Sequence, residues 1–211
     1  MPQSGRATRG TRPKASVRMQ AAEEPPSYVC VPVSVARHLE QKRKSHELEN
    51  PIEESRFMSA LQTATEQTAV QVVYKLLTKR DYSVLEVRSR LLADGFSEDV
   101  TQKTIQRFVD GGLLSNQRFA EAFIRRKMAA GQGIERIKYE LGLRGVDVGD
   151  LKGWPSAYAD PETERERALT IASRKTVRDP NAYAKMVRFL SGRGFSLSIS
   201  KSVAREVVLD S

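Results

Sequence analysis

The order of apolar and polar residues repeats three times along this chain. A leucine, a glycine four residues later, an apolar residue and then a short polar one recur as Leu91–Gly95–Phe96–Ser97, Leu141–Gly145–Val146–Asp147 and Leu190–Gly194–Phe195–Ser196. The glycines are spaced by 50 and then 49 residues. Four residues before each leucine stands another apolar residue: Val87, Ile137 and Met186. An apolar pair at i, i+4 marks the buried stripe of an amphipathic helix. Glycine just past it supplies the left-handed residue that closes a helix, and Ser97, Asp147 or Ser196 can cap the next one. Each site therefore predicts a helix, a tight corner and another helix.

Extending outward gives three helices per repeat and repeats of about 64–112, 113–160 and 161–211. The first repeat opens with Ala69, Val73, Leu76 and Leu77, continues from a capping box at Ser83 and Glu86, and closes with Val100, Ile105, Phe108 and Val109. The second carries Phe119, Ala122, Phe123 and Met128, then Ile134, Ile137 and Leu141. Its third helix is degenerate, because Gly149, Gly153 and Trp154–Pro155 all oppose a long helix. The third repeat has starts at Asp160–Pro161 and Asp179–Pro180 and ends on Ile199, Val203 and Val207. No segment shows sustained alternation of period two, so no strand is expected in the core. The expected fold is all-α: a tandem array of three three-helix repeats, elongated and curved, with a disordered amino-terminal extension. Phe119, Phe123, Ile137, Tyr139 and Leu141 are expected in the core, and Tyr82, Phe96 and Phe195 between helices. Trp154 is equally consistent with packing and exposure.

The amino-terminal part has another character. Residues 1–22 hold five basic residues, four Ser or Thr and no acid, the first being Glu23. That is the composition of an organelle transit peptide, with a plastid-like processing site around Val17–Ala22 and the chloroplast stroma as destination. A mitochondrial address, or a basic arm on a cytoplasmic bacterial protein, fits the same residues. Residues 23–63 are expected to be a charged, largely flexible linker with one helix between Arg37 and Glu49, ended by Pro51. Deleting residues 1–60 is accordingly expected to spare the fold.

Charge and chemistry narrow the function. The chain has 35 Lys and Arg against 26 Asp and Glu, a net charge of +9 that favours polyanionic partners. Its single cysteine, Cys30, excludes an internal disulfide framework. No apolar run approaches the roughly 18 residues of a membrane span, so no membrane partner is expected. Both histidines, His38 and His46, and Cys30 precede the repeats. Residues 64–211 therefore lack the means for a Ser-His-Asp triad, a Cys-His pair or a zinc site of the usual ligands. Gly131–Gln132–Gly133 leads to Ile134–Glu135–Arg136 and not to a phosphate-binding Gly-Lys-Ser/Thr. Glu98, Asp99, Glu162, Glu164 and Glu166 lie near helix starts, where acids complement the dipole. No enzyme activity, cofactor or metal is expected, and a monomer is.

One segment is more specific. Arg118–Phe119–Ala120–Glu121–Ala122–Phe123, then Arg125–Arg126–Lys127, then Gly131, Gly133, Arg136–Ile137, Glu140–Leu141 and Gly145–Val146 closely resemble the central motif of the RecX family. Lys79 to Ser83 with Glu86–Val87, and the junction Gly112–Leu113–Leu114–Ser115, add to the resemblance, which spans about residues 66–208. Asn116, where the family often has an acid, and Ile134, where it often has Pro, depart from the pattern. The resemblance implies a non-catalytic protein that lies in the groove of a RecA-type recombinase filament on single-stranded DNA. It further implies inhibition of ATP hydrolysis, strand exchange and filament growth, and so regulation of homologous recombination and DNA repair.

Seven basic residues against three acids fill residues 118–144: Arg118, Arg125, Arg126, Lys127, Arg136, Lys138 and Arg144 are the candidates for filament or DNA contact. Arg125, Arg126 and Lys127 fan across about 200° of a helix and cannot all meet one partner. Arg136 and Lys138 flank Ile137 and diverge likewise. Two other classes fit the residues: a helical-repeat nucleic-acid-binding protein acting independently of RecA, and a structural adaptor.

Overall fold

The structure, a computed structural model, describes residues 14–19, 25–48, 52–175 and 180–209. The chain forms two compact units that divide after Ser115.

In the first unit, strands β1 (Lys14–Met19) and β2 (Ser27–Pro32) pair antiparallel with Val17 opposite Val29. Helices α1 (Val33–Lys44), α2 (Glu54–Leu77), α3 (Val84–Ala93) and α4 (Glu98–Asp110) follow. Val87, Leu91, Phe96 and Phe108 form one core with Ala69 and Val73. The same core takes in Val31, Val35, Leu39 and Leu61, with Ala15 and Val17 packed against it. This corrects two expectations. A strand pair exists, and the stretch expected to be a flexible linker supplies β2, α1 and the first turns of α2. The expected targeting segment 1–22 overlaps β1, whereas residues 1–13 lie outside the described residues. Of the two strands only β2 is hidden in the sequence, its apolar positions running together as Val29, Cys30 and Val31, whereas β1 alternates polar and apolar residues from Lys14 to Met19.

In the second unit, α5 (Asn116–Ala129), α6 (Ile134–Gly142) and a single 3₁₀ turn, Val148–Asp150, surround a core of Phe119, Phe123, Ile124, Ile137 and Leu141. That turn is all that remains of the third helix expected to be degenerate. Trp154 and Tyr158 close the core from the side. Helices α7 (Pro161–Ser173), α8 (Ala182–Gly192) and α9 (Leu197–Leu209) enclose Ala168, Met186, Leu190, Phe195 and Val203. Asp160 caps α7 by accepting from the Glu162 and Thr163 amides. Asp179 lies outside the described residues, and α8 follows Asn181, whose side chain makes no capping bond.

The recurring corner is the same object three times. The amide of Phe96 donates to the Leu91 carbonyl at 3.1 Å, Val146 to Leu141 at 3.1 Å and Phe195 to Leu190 at 3.2 Å. The three corner glycines have φ of +95°, +71° and +92°. These are the bonds of a helix end closed through a left-handed residue, which folds the next apolar side chain back onto the last turn. The expected caps also form: Ser97 accepts from Val100 at 3.3 Å, Asp147 from Gly149 at 2.8 Å and Ser196 from Ile199 at 3.2 Å.

Repeats two and three are locked together within the second unit. The Gly133 amide donates to the Arg193 carbonyl at 2.9 Å and the Glu135 amide to the Gly194 carbonyl at 3.0 Å. Between them, the Ile134 amide donates to Oε1 of Glu164 at 2.8 Å. A Cβ on Gly133 would stand 2.3 Å from backbone atoms of Gly194 and Phe195, and one on Gly194 would stand 2.3 Å from Cβ of Arg136. Only glycine permits this approach. Glu164 is 3% exposed and pairs with Arg167, whose guanidinium also donates to the Gln132 carbonyl at 2.6 Å. Burial pushes the Glu164 carboxyl up, while the bond from Ile134 and the Arg167 charge pull it back. The acid expected to serve the start of its own helix therefore serves the start of another.

Two outcomes follow from this packing. Deleting residues 1–44 removes Val31, Val35 and Leu39 from the first core, each worth roughly 1.5–3 kcal/mol when buried, so the first unit should melt markedly lower in calorimetry. An unchanged melt would mean that the hairpin and α1 pack without consequence. Gly133→Ala should cost about 1–3 kcal/mol or more through the forced backbone shift. Gly142→Ala, at the far end of α6 with nothing within 4 Å of the added methyl, should be neutral or stabilise by about 0.5–1 kcal/mol. Equal effects of the two would contradict the close approach.

Candidate functional site

The seven candidate cations sit on α5 and α6, and the structure divides them. Buried Phe119, Ala120, Phe123 and Ile124 define the inner face of α5. Arg118 and Arg125, seven residues apart, fall within about 20° of each other on the helix and face away from that stripe. Both are exposed. Arg126 is exposed beside them, with its guanidinium 5.4 Å from the Phe123 ring centroid.

Lys127 turns the other way. Its Nζ lies 2.6 Å from Oε2 of Glu140, and the same carboxylate takes Nε of Arg136 at 3.1 Å. Nη1 of Arg144 donates to the Glu140 carbonyl at 2.7 Å and approaches Oε2 at 3.9 Å. The Arg144 guanidinium also lies 4.7 Å from the Phe123 ring centroid, and Arg136 donates to the Gly192 carbonyl at 3.2 Å. The hydrogen bond from Lys127, more than any other contact, holds the Glu140 carboxyl below the ordinary carboxylate range. Burial opposes it, and Arg136 adds to it. Three of the seven candidates, Lys127, Arg136 and Arg144, are thus engaged by Glu140, with Arg136 still half-exposed.

Lys138 is exposed and forms no ion pair among the described residues. Next to it Tyr139 is 67% exposed, which corrects its expected place in the core. Ile137 and Leu141 set the buried stripe of α6, and Tyr139 stands about 200° from Ile137 on the helix. That angle was available in the sequence. Leu143, 62% exposed, follows it along α6. Tyr139 and Leu143 with Arg136 and Arg144 line one wall of a cleft of about 640 Å³, and Ser191, Gly192 and Gly194 line the other. Phe119, Phe123, Ile137 and Leu141 are buried as expected.

Among the described residues no group of three or more His, Cys, Asp and Glu could hold a metal ion. No helix among them is long and apolar enough to cross a membrane.

The comparisons with known proteins agree with this architecture. Residues 69–108 match the first three-helix domain of RecX, and residues 115–150 match the second. The regulatory protein RecX of Chromohalobacter salexigens is 40% identical over 123 residues, covering 57% of this chain and 80% of that protein. The chain belongs to the RecX family. A RecX protein of Pseudomonas putida is 33% identical over 129 residues, 59% of this chain and 81% of its own. The crystal structure of RecX from Lactobacillus salivarius superposes with a TM-score of 0.59 at 22% identity, covering 70% of this chain and 99% of that one. A second RecX crystal structure gives 0.62 at 17% identity, covering 92% and 94%. At such identities these two show the fold. Arg118, Arg125, Arg126, Lys127, Arg136, Lys138 and Arg144 all fall in the segment matched to the second RecX domain.

The Glu140 cluster generates a pH-dependent outcome. Its folded-state pKa is lowered, so its contribution is full above the ordinary carboxylate range and is lost as pH falls through the lowered value. Glu140→Gln should cost on the order of 1 kcal/mol at neutral pH, since Lys127 and Arg136 keep partial solvent contact. The gap to the parent protein should close on acidification in denaturant titrations. A gap that is constant with pH would show that the cluster does not depend on the charge of Glu140.

Proposed function

We propose that this RecX-family chain regulates a RecA-type recombinase by binding its filament on single-stranded DNA, lowering ATP hydrolysis and strand exchange and limiting filament growth. The observation that carries the reading is the match, in order, of both the first and the second RecX three-helix domains, with the chain covering four-fifths of its bacterial relatives. The net charge of +9 supports a polyanionic target.

The contact surface in this reading is the outward side of α5 with the exposed part of α6: Arg118, Arg125, Arg126, Lys138 and the ring of Tyr139. Lys127, Arg136 and Arg144 support it by fixing α6 against α5 through Glu140. Exposed cations at a rim steer association and confer salt dependence, while an exposed aromatic ring supplies apolar contact area.

The test is DNA-dependent ATP hydrolysis by a RecA-type recombinase on single-stranded DNA, measured against concentration of this protein at several salt concentrations. The parent protein should inhibit. Arg125→Glu with Lys138→Glu should raise the half-inhibitory concentration on the order of 10-fold, with the melting temperature little changed. These two positions serve better than Lys127, whose reversal would set a carboxylate against Glu140. Absence of inhibition at molar excess would overturn the regulatory reading. Inhibition untouched by the double reversal would move the contact surface elsewhere.

A further inference from the structure

Three cations of the first unit surround one cleft and lack a counter-ion. Arg37 of α1, Lys75 in the last turn of α2 and Lys79 just beyond it line a cavity of about 430 Å³ with Val33, Val72 and Leu76. The carboxylate in that lining, Asp94, is engaged by Arg90, whose Nε lies 3.1 Å from Oδ2. Among the described residues, the side chains of Arg37, Lys75 and Lys79 form no ion pair. Lys14 of β1 passes Gly95, the residue after Asp94: a Cβ on Gly95 would stand 3.6 Å from the Lys14 Cε.

The fold alone does not call for this arrangement. Lys75 complements the carboxyl end of α2, but Lys79 four residues on adds like-charge repulsion of a few tenths of a kcal/mol. Arg37 lies in the amino-terminal half of α1, where a cation gains nothing from the helix dipole, and the first turn of that helix carries no acid. Arg37 and Lys14 also stand outside both segments matched to RecX domains. They belong to the hairpin and helix that pack into the first core.

We propose that this cleft binds the phosphodiester backbone of a single nucleic-acid strand, as a site separate from α5 and α6. The cations rise on long exposed stems from separate elements around a partly apolar floor. That suits successive phosphates, with sugars against Val72 and Leu76, better than one enclosed anion. The site needs no recombinase, so its failure and the failure of the regulatory reading are separable.

The experiment is fluorescence anisotropy of a labelled oligothymidylate of about 20 nucleotides with the full chain, without recombinase, across a salt series. Lys75→Gln with Lys79→Gln should weaken binding on the order of 10-fold at low salt. It should also flatten the slope of log affinity against log salt by roughly 1.4, about 0.7 for each lost phosphate contact. Arg37→Gln should weaken binding independently. Arg43→Gln with Lys44→Gln, the same charge change at the far end of α1, should leave the slope nearly unchanged. Circular dichroism of each variant should match the parent, and the single Lys79→Gln, beyond the end of α2, repeats the test at a position with no helix to disturb. Equal losses in the cleft and control variants would overturn the proposal in favour of diffuse attraction. Displacement of the oligonucleotide by pyrophosphate at equal charge would overturn the strand reading in favour of a small-anion site. Displacement by polyglutamate as effective as by unlabelled oligonucleotide would overturn it in favour of an acidic protein partner.

Discussion

The second unit depends on a place where two glycines let backbone meet backbone. A helix leaves its first amides without intrahelical partners, and at α6 those amides are supplied from another repeat. The carbonyls of Arg193 and Gly194 take Gly133 and Glu135, and Glu164 takes Ile134. Any side chain at residue 133 or 194 would hold these groups apart. The charge of Glu164 is tolerated at 3% exposure because an amide and the Arg167 guanidinium both meet it. Repeat three thus serves as the cap of a helix in repeat two, which is why three hydrophobic cores are distributed over only two compact units.

What that joint fixes is the direction of α6, and through it the electrostatics of the cationic segment. Glu140 on α6 meets Lys127 from α5 and Arg136 and Arg144 from its own helix and beyond. These cations hold α6 against α5, Arg136 while itself half-exposed, and Arg118, Arg125, Arg126 and Lys138 are exposed as well. A run of positive charge in the sequence thus includes cations that orient helices as well as cations exposed on the outer side of α5 and on α6. The first unit distributes its charge differently: the acid lining the cleft of Arg37, Lys75 and Lys79, Asp94, pairs with Arg90 and with none of those three.

Most of the helical framework was legible because its signals are local. The corner is written in four residues, and each copy closes with the same bond onto Leu91, Leu141 or Leu190. The caps at Ser83, Ser97, Asp147, Asp160 and Ser196 were legible for the same reason. The second strand of the hairpin and the depth of α1 in the first core were not. Val31, Val35 and Leu39 are ordinary apolar residues in a charge-rich stretch, and only tertiary contact shows where they go. The role of Glu164 was equally hidden, since its partner amide is 30 residues away. In the cationic segment, the divergence of Arg125 and Lys127 followed from helical angle alone, and so could the exposure of Tyr139. The grip of Glu140 on Lys127 required the α5–α6 crossing.

Native-state hydrogen exchange at the start of α6 tests the joint most directly. First-turn amides of a helix ordinarily exchange early, having no partner within the helix. The account requires the amides of Gly133, Ile134 and Glu135 to exchange far more slowly than ordinary first-turn amides, because they are released only when repeats two and three separate. Exchange of these three amides at rates typical of exposed loops, with α8 still protected, would contradict it.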